Sequence, residues 1–187
     1  MTHYLEIKLR PDEELLPQHL MSELFGRVHE ALVAVQCKSV GLSFPEMAQE
    51  NCFLGSRLRL HGTEEDLRKL LSAGLERLSP DYFALGNIRE VPSAGVTYCT
   101  FRRRQSKSNP ERLRRRAMKR HGLTEDEARQ RIPNSMRLLN LPYVQLRSAS
   151  TGERFLLFIE AGPELKKPVA GEFSCYGLSS TATVPCF

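Results

Sequence analysis

Residues 101–120 read FRRRQSKSNPERLRRRAMKR, and this run constrains the fold more than any other segment. It holds ten Lys or Arg and one acid, Glu111, a net charge of +9, so it cannot enter a hydrophobic core. The whole 187-residue chain carries a formal charge of only +5. Everything outside the run therefore has 17 basic and 21 acidic side chains and is mildly acidic. Such a chain must build its core from the flanking segments and present the run to solvent or to a polyanion. The run is internal and patterned, which sets it apart from a disordered basic tail.

From Pro110 the pattern is helical. Asn109 is a candidate cap, Pro110 suits the first helical position, and Gly122 ends the helix in a left-handed conformation. At about 100° per residue Arg112, Arg115, Arg116 and Lys119 share one face, with Arg120 flanking it and Leu113, Ala117 and Met118 opposite. Arginine in this density favours bidentate contacts with phosphates and base edges. Just before the helix, Val96 to Gln105 reads as a strand. Arg103 and Gln105 lie two apart and share a face if that strand continues. Arginine reads guanine edges and glutamine adenine edges, so beside an arginine helix the pair is a candidate base reader.

The first part of the chain reads strand, helix, strand, strand, helix, strand. Leu5, Ile7 and Leu9 alternate with polar residues as in a half-buried strand. Leu20, Met21, Leu24, Phe25, Val28 and Leu32 recur at helical spacing over about Pro17 to Val35. Val40–Phe44 and Arg57–His61 are short strands, and Thr63 caps a helix with Leu67, Leu70 and Leu71. A last strand falls in Phe83–Val91 or in Val96–Gln105. This βαββαβ order predicts an α+β, ferredoxin-like domain. Beyond the arginine helix, Thr124 and Glu127 form a capping box for a short helix ending before Pro133. Tyr143–Arg147 and Arg154–Ile159 are strands joined by a hairpin turn through Ser148–Gly152. Phe173–Leu178 and Val184–Phe187 are expected to add short strands.

Several function classes drop out. The longest apolar runs, such as Phe155–Ile159, are far short of the roughly 20 residues of a membrane span. The start, MTHYLEIKLR, alternates and lacks the apolar centre of a signal peptide, so the expected location is cytoplasmic. Five cysteines, Cys37, Cys52, Cys99, Cys175 and Cys186, with no CxxC spacing, predict small buried reduced thiols without disulfides or structural zinc. The acidic clusters Glu64–Asp66 and Glu125–Glu127 each follow a Thr cap and read as helix N-termini, so no metal and no cofactor are expected. There is no P-loop, GxGxxG or nucleophile elbow.

Histidine remains. His29 lies at the edge of the first helix's apolar stripe, neither central core nor fully outside; His3, His19, His61 and His121 have equally plain structural readings. With RNA as ligand one histidine suffices, because the 2′-hydroxyl is the nucleophile and a positioned base takes its proton. Histidine, ordinarily titrating near pH 6.5, suits that task, and Ser or Tyr hydroxyls hold the sugar or orient the base. At this level three readings stay open: an RNA-cleaving enzyme, an RNA-binding subunit without turnover, and a duplex-DNA binder using the arginine helix.

The chain resembles the CRISPR-associated endoribonuclease of type I-F systems, which processes precursor CRISPR RNA. The resemblance runs from the N-terminal strand to the end, and its most specific block is KSNPERLRRR, Lys107 to Arg116. Around it stand HYLEIKLRP, LFGRVHEAL, LRSASTG, RFLLFI, CYGLS and the terminal VPCF. It implies a ferredoxin-like domain over 1–95 and an RNA-recognition domain with the arginine-rich helix and hairpin over 96–187. It implies metal-independent cleavage at the 3′ base of a repeat hairpin, giving a 5′-hydroxyl and a 2′,3′-cyclic phosphate. His29 matches the catalytic histidine, Ser148 the residue that constrains the attacking ribose, and Tyr176 the residue that helps orient the histidine. Ser150 is implied near the cleavage site, Phe155 stacks on the terminal base pair, and Arg103 and Gln105 read purines near the stem's foot. Arg115, Arg116, Lys119 and Arg120 match the helix entering the hairpin's major groove, and Lys107 and Arg112 are taken with them as RNA-binding. The implied partners are the CRISPR repeat hairpin, which the family retains after cleavage, and the other subunits of the type I-F surveillance complex.

Overall fold

The computed structural model describes residues 1–48, 52–105, 110–132, 139–148 and 152–187, with backbone alone at 110–112. The chain forms two compact units, Met1–Arg104 with Leu141–Phe187, and Gln105–Asn140. It is a mixed α+β protein with antiparallel sheets and, among the described residues, four α-helices.

In the larger unit β1 (His3–Leu9) is the central strand of the main sheet. Its alternation buries Leu5, Ile7 and Leu9 and leaves Lys8 exposed. Helix α1 (Pro17–Ala34) starts at the rigid Pro17 and buries Leu20, Met21, Leu24, Phe25, Val28, Ala31 and Leu32. Strands β2 (Gly41–Ser43) and β3 (Arg57–Gly62) follow, then α2 (Glu64–Ser72), β4 (Phe83–Leu85) and β5 (Arg89–Glu90). The sheet order is β2-β3-β1-β4, with β5 also on β1, and register sets Leu5 opposite Leu60 and Ile7 opposite Leu58. The Thr63 hydroxyl accepts from the Asp66 amide at 3.1 Å, so the Glu64–Asp66 cluster is indeed a helix N-terminus.

The stretch expected as one strand over Val96–Gln105 divides at Thr100. β6 (Thr97–Cys99) pairs with β10 (Val184–Cys186), whereas β7 (Phe101–Arg104) pairs with β9 (Arg154–Ala161), which also pairs with β8 (Tyr143–Arg147). The break frees the Thr100 carbonyl to accept from the Gly162 amide at 2.8 Å, and the Phe101 carbonyl accepts from Ser179 at 2.9 Å. The other candidate, Phe83–Val91, supplies β4 and β5. Phe173–Leu178 is a loop, contrary to expectation. The Ser174 amide donates to the Leu178 carbonyl at 2.9 Å and the Gly177 amide to the Ser174 carbonyl at 2.8 Å, so the backbone turns on itself. None of the five cysteines is in a disulfide, but only Cys99 is buried; Cys37, Cys52 and Cys186 are half-buried and Cys175 is exposed. Local sequence does not report which strand edges and loops cover a thiol.

One core joins α1 and the main sheet to Phe101, Val144, Leu146, Leu157, Ile159, Phe173 and Val184. β8 meets α1 closely: the Gln145 amide donates to Ser22 Oγ at 3.1 Å, and Leu146 lies beside Gly26. Among the described residues no helix is long and apolar enough to cross a membrane.

The smaller unit pairs α3 (Pro110–His121) with α4 (Glu125–Arg131). Gly122 adopts φ 63° and donates to the Met118 carbonyl at 2.9 Å, the expected helix stop. The capping box at Thr124 and Glu127 forms as the sequence predicts. The proposed cap Asn109 and residues 149–151 of the hairpin turn lie outside the described residues.

Candidate active site

His29 lies in the last turns of α1, one position past buried Val28, and is half-buried. Its Nδ1 is 2.8 Å from the Cys175 carbonyl oxygen. A carbonyl only accepts, so Nδ1 carries a proton, and the neutral form of the ring has its lone pair on Nε2. The imidazole stacks on the Tyr176 ring with centroids 4.2 Å apart and 17° between planes, and Tyr176 runs parallel to Phe25 at 6.3 Å. The hydrogen bond fixes the ring's direction and the stack fixes its plane.

The loop that supplies Cys175 and Tyr176 is tightly held. The Phe173 amide donates to the Lys38 carbonyl at 3.0 Å, and the Leu42 amide donates to Gly177 at 2.9 Å. Gly177 has φ 66°, and a Cβ there would sit 2.5 Å from Leu42 Cγ. Only glycine fits both demands.

Arg103 joins this cluster from β7. Register pairs it with Ile159, so it lies on the face of the sheet that carries Leu157 and Phe155. Its guanidinium carbon is 5.7 Å from the Phe155 centroid and 5.7 Å from the Tyr176 centroid. Arg102 and Arg104 occupy the other face, where both pair with Glu160 Oε2, at 2.6 and 2.8 Å. One carboxylate thus offsets the cations on either side of Arg103. Phe155, Arg103, Tyr176 and His29 thus form a continuous chain of contacts, in that order.

Ser148 follows β8, is half-buried, and closes the hairpin through its amide to the Glu153 carbonyl and its carbonyl from the Gly152 amide, both at 2.8 Å. Two cavities of about 560 and 640 Å3 lie elsewhere in this unit, one walled by Arg59, Cys99 and Phe187, the other by Glu23, Arg27 and Arg77. Neither includes His29 or Tyr176 in its wall.

In the smaller unit Arg115, Arg116, Lys119 and Arg120 are exposed, while Leu113, Ala117 and Met118 are half-buried, as the helical pattern requires. Arg114 is half-buried and donates Nε and Nη2 to the Ile132 carbonyl at 2.9 and 2.6 Å. It fastens α3 to the end of α4, a role that sequence reasoning missed; its place between the polar and apolar faces was the available signal. Gln105 is exposed and follows the last residue of β7, so the shared-face argument with Arg103 does not extend to it. Lys107, Ser150 and the side chain of Arg112 lie outside the described residues. The Cys175 carbonyl also escaped sequence reasoning; a backbone acceptor leaves no trace in residue types.

The described residues define an α+β protein that holds a tautomer-fixed imidazole in an aromatic stack and carries, in its smaller unit, an exposed basic helix. The sequence matches the family model described as CRISPR-associated protein (Cas_Csy4) over residues 4–187. It is 49% identical over 188 residues to a CRISPR-associated endonuclease Cas6/Csy4 of Pseudomonas aeruginosa (strain UCBPP-PA14), with 100% of both chains covered. A protein described in the same words from Escherichia coli (strain UTI89 / UPEC) is 40% identical, again over 100% of both. The chain belongs to the Cas_Csy4 family, as the blocks around KSNPERLRRR suggested. A solved structure described as "An RAMP protein binding different RNA substrates" overlaps 98% of this chain and 100% of its own at 12% identity, with a TM-score of 0.38, too loose to bear on the fold.

Proposed function

We propose that this chain is an endoribonuclease that cleaves precursor CRISPR RNA at the 3′ base of the repeat hairpin and keeps the product bound. The observation that carries the reading is the His29 ring: its Nδ1 is engaged by the Cys175 carbonyl, so Nε2 is the available base. The relatives at 49% and 40% identity, both described as endonucleases, support it.

His29 Nε2 accepts the proton of the ribose 2′-hydroxyl just upstream of the scissile phosphate. The 2′-oxygen then bonds to phosphorus and the bond from phosphorus to the 5′-oxygen breaks. The leaving oxygen takes a proton, from the imidazolium or from water, giving a 5′-hydroxyl and a 2′,3′-cyclic phosphate. Ser148 holds the attacking ribose, and Tyr176 keeps the imidazole in plane. Phe155 stacks on the terminal base pair, Arg103 and Gln105 read bases at the stem's foot, and Ser150 acts near the cleavage point. Lys107, Arg112, Arg115, Arg116, Lys119 and Arg120 bind the hairpin. The nucleophile lies in the substrate and the base in the protein, so the step requires neither metal nor cofactor.

The order β2-β3-β1-β4, with α1 and α2 as the crossovers, supports reading residues 1–95 as a ferredoxin-like domain and 96–187 as the RNA-recognition part. The cellular setting we propose is the cytoplasm, within the type I-F surveillance complex. Cleavage of a labelled repeat hairpin in EDTA by the native protein and by His29→Ala tests the reading. The variant retains hairpin binding and loses cleavage by about 10²- to 10⁴-fold, the usual scale of general acid–base catalysis. Tight binding with no cleavage by the native protein leaves the alternative, a non-catalytic hairpin-binding subunit. Cleavage of a hairpin with a 2′-deoxy nucleotide at the attacking position refutes 2′-hydroxyl attack.

A further inference from the structure

We propose that Arg103 is a positioning residue for the cleavage step, acting on His29 through the Tyr176 ring as well as contacting RNA. The proposal rests on the endoribonuclease reading above. The guanidinium carbon stands 5.7 Å from the Tyr176 centroid, and that ring stacks on the His29 imidazole at 4.2 Å. The imidazole is tethered at one atom, Nδ1 on the Cys175 carbonyl. A single hydrogen bond leaves the ring free to rock about its own axis, and the direction of the Nε2 lone pair then depends on the plane of Tyr176.

The Tyr176 plane is set by Phe25, parallel at 6.3 Å, and by the attraction of the Arg103 cation for the ring face. Arg103 suits this task because its neighbours do not compete for it. Arg102 and Arg104 project to the other face and share Glu160, and Arg103 makes no ion pair among the described residues. The same guanidinium lies over Phe155, the ring proposed to receive the terminal base pair. A base stacked on Phe155 competes for that face and presses the guanidinium toward Tyr176. Docking of the stem's foot is thereby linked to the alignment of the base that cuts beside it.

Single-turnover cleavage of the repeat hairpin, with protein in saturating excess, separates rate from affinity. Arg103 is exposed, one residue before the end of β7, so its variants fold, which far-UV circular dichroism verifies. Arg103→Ala lowers the saturating rate about 2- to 30-fold, the span of a cation–π contact, in addition to raising the half-saturating concentration. Arg103→Lys restores most of the rate, since an ammonium also sits over a ring, but less of the affinity. In a Tyr176→Ala background Arg103→Ala no longer changes the saturating rate, whereas in Tyr176→Phe, which keeps the ring, it does. A saturating rate that does not depend on Arg103, or losses at Arg103 and Tyr176 that simply multiply, overturns the proposal while leaving the endoribonuclease reading intact. A native protein that binds and never cleaves overturns both.

Discussion

His61 gives the most direct test of how this fold handles charge. It lies on β3 with 0% of its surface exposed, Nε2 2.8 Å from Ser43 Oγ, and Nδ1 buried with no hydrogen-bond partner among the described residues. Burial, assisted by the Arg59 charge, pushes its pKa from 6.5 down to about 3. The folded protein therefore keeps His61 neutral at a pH where the unfolded chain has already taken up the proton. Its contribution to stability is whole above about pH 6.5 and is lost progressively as the pH falls toward 3. At pH 4.5 the unfolded state is favoured by about two pH units of protonation, or about 2.7 kcal/mol. His61→Gln keeps a hydrogen-bonding group for Ser43 and removes the titration. Urea unfolding followed by far-UV circular dichroism at pH 7.5 and 4.5 gives the stability lost by each protein. The variant loses about 2.7 kcal/mol less than the native chain over that interval. Equal losses refute the reasoning, because they mean that the imidazole is solvated in the folded state or titrates alike in both states.

Other perturbations separate the parts of the molecule. Gly177→Ala forces a side chain into a left-handed conformation and against Leu42. Thermal unfolding shows it destabilised by about 1–3 kcal/mol, and single-turnover cleavage falls because the loop carries Tyr176. Arg116→Ala removes an exposed cation, so the slope of log affinity against log salt for the hairpin becomes shallower by up to about 0.9. Arg114→Ala instead removes the paired bonds to the Ile132 carbonyl. It loosens α3 on α4, lowering thermal stability by about 1.5–3 kcal/mol with little change in salt slope.

Local pattern carried much of the architecture. The period of α1 and the alternation of β1 fix which face is buried, since burying the other would strand charged side chains. Thr63, Thr124 and Gly122 mark helix ends because capping is chemistry within a few residues. The face of α3 that carries Arg115, Arg116 and Lys119 followed from the same arithmetic. Where pairing partners lie far away in sequence, local pattern was insufficient. Val96–Gln105 divides because β10 and β9 compete for its two halves, and Phe173–Leu178 turns because Gly177 and Leu42 meet.

The sequence by itself determined the elements, the acidic helix caps, the basic face and, through its motif blocks, the family. Tertiary structure alone decided the tautomer of His29, set by a backbone carbonyl 146 residues away, and the fate of the arginine triplet. Strand alternation sends Arg102 and Arg104 to one side, but only the pairing with β9 brings Glu160 to meet them and leaves Arg103 against Phe155 and Tyr176. Charge is written in composition, whereas its neutralisation and its aim depend on which distant backbone and side chains the fold brings within a few ångströms.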